Sequence, residues 1–376
     1  MPDKASGVFK FTKKGGGTLR DPLFSFRRQS NEAIVPAGIV RKYRLVEGAI
    51  VKGPLKPGRN GPLLSAVDSI CGLEPEAFHK RKPFASLTSI NPCQRFDLAA
   101  SEEAGMRIVD LMAPIGKGTR GLIISPPKAG KTMLIEQIAG AIHKSDPETR
   151  IIALLIDERP EEVTYFRRSV EAEVLYSSSD QSVEEHIELA EITLAHIRTE
   201  VECGRDVVLL VDSLTRMGRA FNLKTSRSGL TLSGGLGAGA LEFPRRFFGL
   251  ARNIEGGGSI TIIATALVDT GSRMDQVIFQ EFRGTSNSEI LLERSLAEAH
   301  IFPAININAS STRKEERLYS PEESQRLSHL RRILAGLKPK DALESILKLI
   351  EKYPTNKELF IKKTAANTGK AAVIIL

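Results

Sequence analysis

Residues 121–132 read Gly-Leu-Ile-Ile-Ser-Pro-Pro-Lys-Ala-Gly-Lys-Thr, and no other run constrains the chain as tightly. An apolar strand, 121–125, passes through a short loop into residues 132–143, where Leu134, Ile135, Ile138 and Ile142 recur at helical spacing. A strand that feeds a helix through such a loop aims successive backbone N–H groups at one point, at the positive end of the helix dipole. That point suits the phosphates of a nucleoside triphosphate. Lys131 reaches the β- and γ-phosphates there, and the Thr132 hydroxyl is placed to ligate Mg2+. Against the pattern G-x-x-x-x-G-K-[ST], Ser125 stands where the first glycine falls.

The rest of the second half repeats the strand–helix alternation. Residues 150–156, 207–211 and 259–267 are continuous apolar runs, as strands covered on both faces require, and 183–202 is a long amphipathic helix. The class is therefore α/β, a parallel sheet covered by helices. Residues 7–73 differ: short β-rich segments (GVFKF, AIVPAGIV, GAIVKGPL, GPLLSAV) between Gly and Pro suggest a small barrel or sandwich. The stretch 74–95, with Pro75, Pro83 and Pro92, reads as irregular. The expected division is a small β domain over 1–75, a linker over 76–100 and the α/β domain over 101–376.

Of the 376 residues, 41% are hydrophobic, and no run approaches the length needed to span a membrane. The N-terminus shows no signal-peptide pattern. Three cysteines, Cys71, Cys93 and Cys203, fall outside metal-ligand spacing and read as reduced thiols of a cytoplasmic protein. The net charge of +8 is concentrated: residues 1–60 hold thirteen Lys/Arg against four Asp/Glu. Such a module faces a polyanion, nucleic acid above all, or is a solvated basic surface.

A phosphate-binding loop needs an acid for its metal on a neighbouring strand. Val207-Val-Leu-Leu-Val-Asp212 ends a buried strand in a carboxylate, which makes Asp212 the expected partner of Mg2+. Leu154-Leu-Ile-Asp-Glu-Arg-Pro160 places Glu158 at another strand end, either as the carboxylate that polarises water or as the partner of Arg159 in an ion pair. Two glycine-rich stretches, 226–240 and 269–275, read as loops.

The runs SPPKAGKTML, LLIDERPEEVT, LLVDSLTRMGRAFN, PRRFFGLARNIEGGGSITIIATALVDTGSRMD, FPAI and STRKEERL resemble the ATPase domain of the Rho family of bacterial transcription termination factors, over roughly residues 105–345. The resemblance implies a RecA-like P-loop domain behind an OB-type, cold-shock-like RNA-binding barrel. It implies a homohexameric RNA-dependent ATPase and RNA–DNA helicase that translocates along nascent RNA to terminate transcription, and it allows RNA polymerase as a further partner. It further implies that ATP lies against Lys128, Ala129, Gly130, Lys131, Thr132 and Met133, with Phe302 stacking on adenine and Arg159 and Arg216 near the interface. By the same resemblance Lys131, Glu158 and Asp212 are expected to serve catalysis, and Arg313 matches the arginine finger presented to a neighbour. Arg20 in the barrel, Ser233 and Gly234 in the first loop and Arg273 in the second are the implied RNA contacts.

The chain also departs from this pattern. Where the family's barrel has Gly-Phe-Gly-Phe, this chain has Gly15-Gly-Gly-Thr18, and two further aromatic positions fall at Ile34 and near Gly61. Each lost stacking contact removes ~1–3 kcal/mol per base, so a weak primary RNA site is expected, sustained by Lys13, Lys14, Arg20, Arg27 and Arg28. A lysine of the first loop is Leu230, an interface arginine is His300, and the family's helical N-terminal cap has no counterpart. These departures keep two alternatives open: a hexameric motor on another polymer or partner, or a non-translocating RNA- or protein-binding regulator. The apolar tail 370–376 has no assigned role.

Overall fold

The computed structural model describes residues 4–13, 15–226 and 235–361. Lys14, Leu230, Ser233, Gly234 and the apolar tail lie outside them. The N-terminal strands are β1 (Lys4–Phe11), β2 (Gly17–Arg20), β3 (Ile34–Val35), β4 (Ile50–Lys56), β5 (Leu63–Leu64) and β6 (Ser69–Ile70). Their order is β1-β2-β3-β5-β4, β4 returns to β1, and β6 adds to β4. This closes a five-stranded Greek-key barrel of the OB type, filled by Phe9, Val35, Val51, Leu64, Ile70 and Phe78.

Two local readings change. The run AIVPAGIV is not one strand: Pro36 caps a helix, Ala37–Lys42, because a proline ends strand pairing while fitting a helix start. The stretch expected to be irregular carries a short helix, Pro75–His79, and a two-residue strand, β7 (Ser89–Ile90), that joins the second sheet.

The second sheet holds β8 (Arg120–Ser125), β9 (Arg150–Glu158), β10 (Glu173–Ser178), β11 (Asp206–Asp212), β12 (Arg252–Ile254), β13 (Ser259–Leu267), β14 (Ser288–Leu291) and β15 (Ser311–Thr312). The order is β10-β9-β11-β13-β8-β14-β15; the first six are parallel, and β15, β12 and β7 are antiparallel additions. Apolar side chains of β8, β9, β11 and β13 point alternately into two cores, one under the P-loop helix Lys131–Ser145 and one under the helix Val183–Glu202. The strands β9, β11 and β8 all run toward one edge, so Glu158, Asp212 and the loop after Ser125 meet there. The carboxyl edge of a parallel sheet is where α/β folds place ligands.

The barrel docks on the helix Val183–Glu202. His196 Nδ1 lies 2.8 Å from Gly48 O, and Thr199 Oγ1 donates to Glu47 O at 3.4 Å. Gly48 has φ +87°, and a Cβ there would stand 2.2 Å from the Ala195 carbonyl carbon. Gly48→Ala combines a left-handed backbone with a clash against a rigid helix, so a loss of about 2–4 kcal/mol is expected. Denaturant melts of the full chain measure it, and an unchanged midpoint contradicts the docking contact.

Candidate active site

Gly130 caps the P-loop helix with φ +90°, a conformation glycine adopts without penalty, and no side chain caps the first turn. The backbone N–H groups at that end are therefore open to an anion. Ser125 is buried, and its hydroxyl donates to Pro126 O at 2.8 Å, which tightens the loop where the general motif uses glycine. Lys128 and Met133 are exposed, Ala129 is buried, and Gly130, Lys131 and Thr132 are half-buried.

Lys131 stands between the two acids. Its Nζ donates to Asp212 Oδ1 at 2.6 Å and lies 3.7 Å from Glu158 Oε2. Thr265, a polar residue inside the apolar run of β13, donates from Oγ1 to the same Asp212 Oδ1 at 2.9 Å. The sequence reading missed Thr265, although a hydroxyl interrupting a buried strand two positions from its end was the available signal. Glu158 pairs with Arg216, whose Nη2 donates to Oε1 at 3.0 Å. The alternative partner, Arg159, is exposed and caps the helix Pro160–Ser169.

Glu158 and Asp212 are each 1% exposed. Burial, then the neighbouring Asp212 charge, pushes the Glu158 carboxyl up to about 7, against the pull of Lys131 and Arg216. Asp212 Oδ2 and Glu158 Oε2 are buried without a hydrogen-bond partner. Two unsatisfied carboxylate oxygens facing a phosphate-binding loop fit a divalent cation and a water, with Thr132 and Asp212 as the donors to a metal.

Phe302 is 42% exposed, and its ring lies 3.6 Å from where a Cβ on Gly130 would stand. With the exposed Met133 beside it, Phe302 offers an apolar shelf next to the loop, suited to a flat base.

Arg313 lies elsewhere. It follows β15, its N–H donates to Asn287 O at 2.7 Å, and its neighbours are Arg120 and Lys314. Gly121 at the start of β8 pairs with Ser288, which in turn pairs with Thr312. Arg313 is thus at the amino edge of the sheet, ~17 Å of strand away from the loop that follows Ser125. His300, with φ +56°, is exposed.

Arg273 is exposed at the first position of the helix Arg273–Arg283. The loop before it is anchored: Asp275 receives Arg219 Nε at 2.9 Å, Arg219 Nη2 at 2.5 Å and Thr270 Oγ1 at 2.6 Å. Arg20 is 2% exposed, paired with Glu32 at 3.1 Å, and donates to Phe26 O at 3.1 Å.

A family model described as the ATP synthase alpha/beta family, nucleotide-binding domain, matches residues 105–312. Among solved structures, the chain is similar to the ATPase of the type III secretion system of pathogenic bacteria (TM-score 0.62, 23% identity, 82% of this chain and 90% of that one). It is likewise similar to the assembled ATPase of the enteropathogenic E. coli type III secretion system (TM-score 0.61, 23% identity, 82% and 76%). These likenesses are of fold. Fold and site together define a P-loop ATPase domain of RecA-like architecture behind an OB-type barrel. Curated relatives called transcription termination factor Rho are 46% identical in Aquifex aeolicus (95% of this chain, 83% of the relative) and 46% identical in Micrococcus luteus (90% and 51%). A third, from Karelsulcia muelleri, is 43% identical over 92% of both chains. The chain belongs to the transcription termination factor Rho family. It spans about half the length of the Micrococcus luteus relative and most of the other two. Among the described residues no helix is long and apolar enough to cross a membrane.

Proposed function

We propose that this chain is an RNA-dependent ATPase and RNA–DNA helicase that terminates transcription from within a homohexameric ring in the cytoplasm. Its working units are a barrel over 1–75, a connection over 76–100 and the motor over 101–376. The observation that carries the reading is the separation of Arg313 from the P-loop of its own subunit. An arginine at the amino edge of the sheet serves a phosphate only across a subunit boundary, and such a head-to-tail boundary makes a ring when its rotation closes.

In this reading ATP lies along residues 128–133 with its base on Phe302. Lys131 leaves Asp212 and donates to the β- and γ-phosphate oxygens. Mg2+, held by Thr132 and Asp212, supplies neutralisation of the phosphate charge when bound. Glu158, its carboxyl pushed toward neutral pH, accepts a proton from the water that attacks the γ-phosphorus, while Arg216 fixes its direction. The bond to the bridging oxygen breaks, giving ADP and phosphate. Arg313 of the next subunit stabilises the departing charge, with Arg159 near the same boundary. The loops 226–240, with Ser233 and Gly234, and 269–275, with Arg273, hold the RNA.

The test is ATPase rate with and without homopolymer RNAs and DNA at two salt concentrations. A sharp rise with RNA, abolished by Lys131→Ala, is expected; a rate that no RNA raises overturns the reading. A second reading, a motor on another polymer, is favoured by the absent aromatics at Gly16, Thr18 and Ile34. Stimulation by DNA in place of RNA selects it.

A further inference from the structure

The face of the barrel that bears the family's aromatics is occupied in this chain by other interactions. Lys10 and Thr18 are cross-strand partners on it, and Lys10 is paired with Glu188 of the long helix at 2.5 Å. A Cβ at Gly16 would stand 2.7 Å from Val35 O, so no aromatic fits there without moving the backbone. If the barrel stacks on bases, a different ring does so.

The turn after β2 presents one. Asp21 caps it by accepting from Leu23 N at 2.8 Å, and Ser25 and Phe26 follow with φ of +52° and +59°. Two consecutive left-handed residues other than glycine are costly unless their surroundings hold them. Here they are held: Ser25 Oγ accepts from Tyr176 N on β10 at 3.0 Å, and the buried Phe26 packs edge-on to His196. The anchored turn pushes its other side outward, leaving Leu23 76% and Phe24 46% exposed.

Two arginines, Arg27 and Arg28, follow this turn. Arg27 donates from Nε to Phe24 O at 3.2 Å and from Nη2 to Tyr176 OH at 2.7 Å, and its guanidinium lies 4.9 Å over the Tyr176 ring. Arg167 approaches the same ring at 5.8 Å. Arg28 is exposed and has no carboxylate partner among the described residues. A cavity of about 560 Å³ opens at this junction of barrel and motor, with Phe24, Arg27, Arg28 and Tyr176 on its lining and two carboxylates, Glu185 and Glu188, the latter already paired with Lys10.

We propose that this junction binds single-stranded RNA, Phe24 stacking on a base while Arg27 and Arg28 take the flanking phosphates. Aromatic faces interleaved with guanidinium groups are the pattern that non-specific single-strand sites use. The excess of nine positive charges in residues 1–60 selects a polyanion over a protein partner. A turn already held in its strained form loses little entropy when a base lands on it. The chain thus keeps an entry site for the polymer at the barrel, displaced from the family's strand face to the seam with the motor. This inference rests on the RNA-dependent reading above.

The experiment uses the full chain, fluorescently labelled oligo-U and oligo-C, and the RNA concentration that half-saturates ATPase. Phe24→Ala is expected to raise the dissociation constant about tenfold, the scale of one lost stacking contact, and the half-saturating RNA with it. Phe24→Trp is expected to retain binding, and Arg28→Glu to lower the slope of log affinity against log salt by about one. Because Phe24 is an exposed side chain, equal melting temperatures separate lost binding from lost folding. Unchanged binding and half-saturation in Phe24→Ala overturn the proposal and leave the RNA-dependent reading standing; a protein-docking patch gives this same result. Wild-type protein that neither binds RNA nor responds to it removes both.

Discussion

Arg313→Ala is expected to lower RNA-stimulated ATP hydrolysis by ~10³–10⁵, and subunits of Glu158→Ala mixed into it are expected to restore part of the rate. The expected loss is large because, in the proposed role, the guanidinium would meet charge that develops only as the phosphoryl group departs. The rescue follows from placement: Glu158 ends β9 at the carboxyl edge of the sheet, and Arg313 is tied to Asn287 at the amino edge. On the proposed shared site, each variant would lack one half and supply the other. In randomly assorted rings roughly a quarter of the interfaces contain both intact halves. Steady-state ATPase of the pure and mixed proteins checks this, with native mass spectrometry to establish that rings are mixed. Inactive mixed rings, or a fully active Arg313→Ala protein, would falsify the shared-site assignment.

Glu158→Gln is expected to cut turnover by ~10²–10⁴ while making the nucleotide-free protein more stable above neutral pH. The carboxyl is pushed up to about 7 from an ordinary 4.5, mainly by burial and then by Asp212. Between those values the folded state binds more protons than the unfolded one, so wild-type stability falls as pH rises from about 4.5 to about 7. Above that window the full cost of a buried charge is present, about 1–3 kcal/mol. Glutamine mimics the neutral form at every pH and escapes it. Denaturant melts in EDTA without nucleotide are expected to show the variant ahead at pH 8 and level near pH 4.5. A variant no more stable than wild type at pH 8 removes the electrostatic account of the site.

The sequence conveyed long, strongly periodic elements well and short or distant ones poorly. The helix Val183–Glu202 and the strand Ser259–Leu267 fall where their patterns put them, because twenty residues at one helical period and eight consecutive buried positions leave no second solution. A four-residue apolar run such as AGIV fits helix or strand, and the cap at Pro36 decides it. β7 was illegible because its two residues are placed by backbone pairing with Asn253 and Ile254, far along the chain. Charged partners were harder still. Arg159 adjoins Glu158 in sequence, yet Arg216 reaches it, since a strand end points its side chain at the neighbouring strand's loop. Arg20 counts as positive in any tally of composition and is neutralised by Glu32 in the fold. The Gly-Lys-Thr loop and the two strand-end acids were visible from spacing, whereas the Lys131–Asp212 contact and the Thr265 hydroxyl needed the sheet order β11-β13-β8.

The helix Leu214–Ser226 begins two residues after Asp212, runs ~20 Å, and carries Arg219 and Asn222 along its length. Arg219 clamps Asp275 at the end of one glycine-rich loop; Asn222 holds Gly235 O and Gly237 N where the other returns. Both loops are therefore anchored to a single strut whose foot stands beside Asp212. A displacement of that strut would shift both anchor points, Asp275 and residues 235–237, at once.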